Sequence, residues 1–471
     1  MPITVLGGTK LADTGYEVAN SCRFNDGDSS LISRTIGTPT SDKKWTFSAW
    51  VKRCTSGAQQ ILFEGFGNGA NYDIIELGSS DQLKYKSVSS SAESANQTTN
   101  MLFRDVSAWY HIVVAQDSTQ AAGGNRLKIY VNGAQITSLA TDTQMPENHA
   151  NHMNVANEHN LAASKGAGGG SLAAYFDGYL AEVVFIDGTQ YAATDFGEYN
   201  EDSPNMWQPK DVSGLTFGDN GFYLDFEASD NLGNDANGGT DWSETNLAAA
   251  DQATDTPTNN FCTLNSRFHT NWQQQVTNTK GFAQGNCTLL ENTHSAAIGT
   301  MGTTTMPFYY EVKLSSNDFS IGVMATNPAA SVTASIYSYN DATAYGFYPG
   351  STARKITAGV WALDSTFSGS GTYHFAVDPV NNKIWIGKDG TWDGDPAAGT
   401  GNIVDLGTHE YTPWGHCSGS GGTNIGEFNF GGCSAFDVSS GNADANGYGN
   451  FEFSVPSGYL ALCSKNLGEN G

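Results

Sequence analysis

Basic residues are scarce in this chain. It has 22 Lys and Arg against 48 Asp and Glu, a formal charge of −26, whereas phosphate backbones and anionic lipid surfaces hold proteins largely through Lys and Arg. Neither nucleic acid nor a membrane surface is therefore an expected partner. Long apolar runs are also missing: those present, such as 112–115 and 183–186, have the length of a strand, far below the ~20 residues of a spanning helix. The first eight residues, Met1-Pro2-Ile3-Thr4-Val5-Leu6-Gly7-Gly8, lack the basic start and apolar core of a secretory signal, so Sec export is not expected. Cys22, Cys54, Cys262, Cys287, Cys417, Cys433 and Cys463 are scattered and include no Cys-x-x-Cys pair. That excludes a zinc knuckle or thiol redox motif and favours buried thiols over a disulfide framework, as in a reducing cytoplasm. Collagen-like and disordered chains are excluded too, because aromatics make up 11% of the residues while the charge is spread thinly. Helical periodicity, heptads and repeats of 20–50 residues are all absent, which leaves no solenoid or coiled-coil stalk.

What is there reads as strand. At 471 residues the length suggests roughly two to four domains, and Gly, Asn, Ser, Thr and Asp punctuate short alternating runs throughout, as in an all-β sandwich. In 45–54 the period of two sets Trp45, Phe47, Ala49 and Val51 on one face. The run 127–131 ends in Asn132-Gly133 and the run 383–388 in Asp389-Gly390, pairs that favour the positive φ angles of a type I′ hairpin turn. The stretch 178–187 is apolar almost without alternation and is expected to be buried on both faces. Residues 201–300 are loop-rich, yet Trp207, Phe217, Phe222, Tyr223, Leu224 and Phe226 are too many anchors for a free linker. The expected organisation is an N-terminal arm or edge strand over 1–20, a sandwich over 21–200, an ordered connector over 201–300 and a second sandwich over 301–471.

Four motifs in order carry a resemblance: Trp45-Thr-Phe-Ser-Ala-Trp50-Val, Trp109-Tyr-His-Ile-Val-Val, Leu127-Lys-Ile-Tyr-Val-Asn-Gly133 and Phe176-Asp-Gly-Tyr-Leu-Ala-Glu-Val-Val-Phe185. Together they resemble the laminin-G/concanavalin-like jelly roll. In the second half, Tyr309-Tyr-Glu-Val-Lys-Leu314, Ile321-Gly-Val323, Ile384-Trp-Ile-Gly-Lys-Asp-Gly390 and Ile425-Gly-Glu-Phe-Asn-Phe430 are similar to a SPRY domain, itself a concanavalin-like sandwich. The tandem, with 255–261 and 456–463, also resembles tailed-phage virion proteins of the tail-fibre or structural kind. That resemblance implies assembly in the host cytoplasm and residence on the virion. Fold alone does not assign function, because both folds host binding modules and enzymes.

The catalytic patterns are missing. A glucanase on such a sheet needs carboxylates at i, i+2 and i+4; Asp225-Phe226-Glu227 is followed by Ser229, and Glu182 has no acidic partner two residues away. No Gly-x-Ser-x-Gly elbow or Walker loop occurs. The candidate binding residues are Tyr345, Tyr348, Trp361, Trp392 and Trp414, rings in or near Gly/Pro-rich segments, which either stack on sugar faces or fill the core. Asp230, Asn234, Asp235, Asn237 and Asp241 concentrate oxygen donors on a Gly-flexible loop. They suit a structural Ca²⁺ or, equally, a set of Asx turns. His149, His152 and His159 offer imidazoles to a transition metal or lie solvated or backbone-bonded in an Asn-rich loop, and His111 and His374, within strand runs, are expected to be packed.

The function expected from these observations is recognition without catalysis or a required cofactor: a phage tail-fibre or receptor-binding protein whose loops meet a host-surface glycan or receptor, or other virion proteins. A head fibre or capsid decoration is the structural alternative, and a polysaccharide depolymerase the third. A homotrimer is implied only by analogy with phage fibres.

Overall fold

A computed structural model describes residues 15–149, 151–201, 203–267, 281–290, 296–327, 338–417 and 424–471. Most of the N-terminal arm, 1–14, lies outside them. The chain divides into two compact units, which among the described residues are 15–258 and 259–471. The passage 201–300 is thus shared between the two units.

In the first unit an eight-stranded sheet runs in the order Ala134–Gln135, Leu127–Val131, Trp109–Asp117, Lys44–Arg53, Gly178–Asp187, Ser21–Phe24, Gln252–Ala253, with Phe222–Leu224 also paired to Gly178–Asp187. A second sheet has the order Leu139–Thr143, Ala92–Leu102, Gln82–Ser89, Asn71–Leu77, Gln60–Asn68, Glu158–Leu161, Leu31–Thr35, Ser243–Thr245. Both are antiparallel, and they enclose one core. Trp45, Phe47, Ala49 and Val51 line it as the alternation requires, opposite Phe63, Ile75, Leu83 and Tyr85. Phe47 and Phe63 stack across the gap with ring centroids 5.1 Å apart. Gly178–Asp187 is buried along its whole length, because Ala193, Phe196, Val212 and Phe217 pack on its outer side against Val184 and Ile186. The anchors of 201–258 are taken up in the same way. Asp255 ties this segment down, its carboxylate 2.6 Å from the Lys52 ammonium and accepting the Trp109 indole N–H at 3.0 Å, all within the interior.

The second unit is another sandwich. Its nine-stranded sheet follows the order Phe282–Ala283, Thr288–Leu290, Ile425–Asn429, Phe308–Leu314, Gly371–Asp378, Lys383–Lys388, Thr391–Trp392, with Val404–Asp405 and Leu460–Ala461 at its sides. The facing sheet has six strands: Ala296–Ile298, Tyr411–Cys417, Phe319–Ala325, Tyr345–Tyr348, Arg354–Thr357, Val360–Leu363. Between the sheets Phe347 meets Tyr373 with centroids 6.3 Å apart, and the Tyr310 hydroxyl donates to the Gly322 carbonyl. Asn132-Gly133 and Asp389-Gly390 both adopt the left-handed pair of φ angles expected of them, 47° and 81° in the first and 49° and 82° in the second. Both units are β-sandwiches of mainly antiparallel strands. No disulfide joins any of the seven cysteines, all of which are buried. Among the described residues no helix is long and apolar enough to cross a membrane.

Candidate functional site

The six-stranded sheet of the second unit has one face against the core and one turned away from the other sheet. Cross-strand pairing decides which side chains share the outer face, since directly opposed residues point the same way. Ile298 pairs with Trp414, Trp414 with Gly322, Gly322 with Gly346, Gly346 with Ile356 and Ile356 with Trp361. This row crosses the whole sheet and has two glycines at its centre. Neither glycine has room for a side chain: a Cβ on Gly346 would lie 2.1 Å from the Ile321 carbonyl oxygen, and one on Gly322 2.2 Å from that of Tyr345. The result is a strip of buried backbone without side chains, between Trp414 on one side and Ile356 with Trp361 on the other.

Aromatic rings and polar groups surround the strip. Tyr348 and Trp361 meet at 5.1 Å, and Tyr339 lies edge-on to both Trp361 at 5.0 Å and His416 at 4.6 Å. Tyr339, Tyr348 and Trp361 are half-buried, so ring surface faces solvent. Beneath them the fully buried Trp414 donates its indole N–H to Ser338 Oγ at 3.2 Å, and Ser338 Oγ lies 2.6 Å from His416 Nδ1. The Tyr348 hydroxyl donates to Asp318 Oδ1 at 3.0 Å. Burial and that carboxylate push the Tyr348 phenol up to about 12, against the pull of Arg354, so it stays a donor at neutral pH. Arg354 is paired directly to Tyr348 across the strands. Among the described residues three buried polar atoms on these strands, Ser320 Oγ, Thr412 Oγ1 and Trp361 Nε1, have no hydrogen-bond partner. Half-exposed rings can stack on the C–H face of a sugar, with the Tyr348 hydroxyl beside them to bond its hydroxyls.

Of the five rings singled out in the sequence, the structure brings Tyr348, Trp361 and Trp414 onto this face. Tyr345, opposite Val323, points into the core and packs edge-on to Tyr411 at 5.8 Å. Trp392 belongs to the other sheet, edge-on to His374 at 4.3 Å. Sequence reasoning missed Tyr339, Asp318, Arg354 and His416. For Arg354 and Trp361 a signal existed, the alternation of 354–363 about Ala358-Gly359.

The oxygen-rich loop is knit together by its own side chains. Asp235 Oδ1 accepts the backbone N–H groups of Tyr223 at 3.0 Å and Asn237 at 3.1 Å, and its other oxygen lies 3.6 Å from Arg34. Asp241 accepts from the Asp235 N–H at 3.1 Å and from the Asn231 side chain at 2.9 Å. Asn234 donates its backbone N–H to the Asn231 carbonyl, and Asp230 is exposed. Among the described residues no group of three or more His, Cys, Asp or Glu side chains converges to hold a metal ion.

The histidines have structural surroundings. His111 sits between Ser48 Oγ at 2.9 Å and the Trp207 indole N–H at 2.9 Å, and burial pushes it down to about 3. His374 is lowered to about 3 by the same cause, under Trp392 and Phe453. His159 lies on a strand, bonded to the Met153 carbonyl at 2.7 Å. His149 reaches Ser87 Oγ at 3.1 Å, and His152 is half-buried. Two buried carboxylates are also accounted for. Glu64 accepts from Asn160 Nδ2, Ser164 Oγ and the backbone N–H groups of Lys165 and Gly166, at 2.5–2.9 Å. Glu182 occupies an irregularity in its strand, at φ 50°, and accepts from the Tyr223 hydroxyl at 2.7 Å. Burial pushes Glu182 up to about 7, helped by the charges of Asp225 and Glu227.

Part of the chain is similar to known proteins. Residues 25–193 match the model of the Laminin_G_3 family, described as the concanavalin A-like lectin/glucanases superfamily. That segment is similar to a lectin-like domain of the laminin-G kind. No curated protein matches the chain. Among solved structures, a heptameric SAP-like pentraxin from Limulus polyphemus is 12% identical, with 38% of this chain and 80% of that one covered and a TM-score of 0.28. The LG4-5 domains of mouse laminin alpha1 are 9% identical over 96% of this chain and 99% of theirs, at a TM-score of 0.29. The SPRY domain of human HERC1 is 14% identical over 32% of this chain and 94% of its own, at 0.24.

Proposed function

We propose that the chain is a non-catalytic recognition protein that binds a saccharide on the aromatic outer face of its second sandwich. The observation that carries this reading is the half-exposed group of Tyr339, Tyr348 and Trp361. Ring faces supply apolar area to the axial C–H groups of a pyranose. Supporting groups are the Tyr348 hydroxyl and Asp318. The setting we propose is a tailed-phage virion, with the protein as a tail-fibre or receptor-binding component and host-surface glycan as its target, on the sequence resemblance given above. Purified protein added to host cells is then expected to compete with virions for attachment sites. Unchanged virion adsorption at saturating protein would reject the role in attachment.

A further inference from the structure

We infer that the saccharide held on this face carries a carboxylate, which pairs with Arg354; the inference rests on the reading of the face as a sugar platform. In a chain with so few cations, arginines are ordinarily committed: Arg23, Arg34, Arg53, Arg104 and Arg126 each form an ion pair with an acidic side chain. Arg354 is an exception. Half-buried, it forms neither an ion pair nor a hydrogen bond with any of the described residues, although the sequence has more than twice as many carboxylates as cations.

Its position is specific. Cross-strand pairing sets Arg354 between Tyr348 and Leu363, one row from Trp361 on the same face. The carboxylates on the neighbouring segments are engaged elsewhere: Asp318 accepts the Tyr348 hydroxyl at 3.0 Å, and Asp364 accepts the Thr366 N–H at 3.0 Å. A sugar ring stacked on Tyr348 and Trp361 would bring a ring substituent within reach of the guanidinium. The planar fork of five N–H donors fits a carboxylate bidentately, and partial removal from water strengthens the pair relative to bulk solution. A neutral sugar would leave the charge in place with only hydroxyls to accept its donors.

The test compares a uronate-containing oligosaccharide with its carboxyl-reduced counterpart, by calorimetric titration of the full chain. The acidic form is expected to bind roughly tenfold more tightly or better, with an advantage that shrinks as NaCl is raised from ~50 to ~500 mM. Arg354→Gln should abolish the preference while leaving the residual neutral affinity, and Arg354→Lys should keep part of it; the residue is half-exposed, and circular dichroism checks that both variants fold. Equal affinity for the two oligosaccharides overturns the carboxylate assignment but leaves the sugar platform standing. So does a preference that survives in Arg354→Gln, or binding of a sulfated sugar in place of the uronate. If neither oligosaccharide binds and a broad glycan panel is also negative, both readings fall.

Discussion

Glu182 and Tyr348 show how burial and a neighbouring charge tune a single group. Glu182 titrates near 4.5 when exposed and near 7 in the fold. Between those values the folded chain keeps a proton that the unfolded chain has released. Its contribution to stability is therefore complete below about pH 4.5 and is lost as the pH rises through about 7. Glu182→Gln cannot ionise, so its melting temperature relative to the wild type should be higher at pH 8 than at pH 5; an equal difference at the two pH values contradicts the assignment. Legibility at this scale was uneven. Tyr345 and Tyr348 are three residues apart in one strand, so the period of two already separates them onto opposite faces once the strand is recognised. Nothing local distinguishes Trp392 from Trp361, because burial there depends on strands distant in sequence.

At the level of elements, the hairpins with Asn-Gly and Asp-Gly turns were readable, whereas the one that builds the site, closed by Ala-Gly, carried only the weaker signal of its alternation. Arg354–Thr357 and Val360–Leu363 are joined by Ala358 and Gly359 at φ 50° and 73°, so an alanine occupies a conformation that normally selects Gly or Asn. Relief of that strain predicts that Ala358→Gly stabilises the second unit by about 0.5–1 kcal/mol, the lower end reflecting glycine's larger chain entropy. Chemical denaturation measures it, and destabilisation would show that the alanine methyl has a packing role. The loop 162–174 is held differently, by three of its own donors on one buried carboxylate, Glu64, which also accepts from Asn160 on the preceding strand. Glu64→Gln replaces one acceptor oxygen by a donor facing other donors, and should cost about 2–3 kcal/mol. A neutral effect in the same denaturation assay would mean that the loop is held by its apolar contacts instead.

For the whole molecule, composition and strand rhythm sufficed for two sandwiches, whereas the apportioning of 201–300 did not follow from them. Its aromatic anchors were visible, but the surfaces that accept them were not, since Val184 and Ile186 look from sequence like any other buried strand residues. Each unit has its own interior and its own pair of sheets. Residues 12–258 expressed alone should therefore unfold in a single cooperative thermal transition. A non-cooperative melt would show that this unit's core is incomplete without the rest of the chain.

Glycan-array binding by the intact protein and its Trp361→Ala variant bears most directly on the proposed recognition face. Specific binding by the wild type, weakened at least roughly tenfold in the variant with the β-sheet spectrum unchanged, is the predicted result. Binding that survives loss of the Trp361 ring undiminished would contradict it and place recognition elsewhere on the molecule.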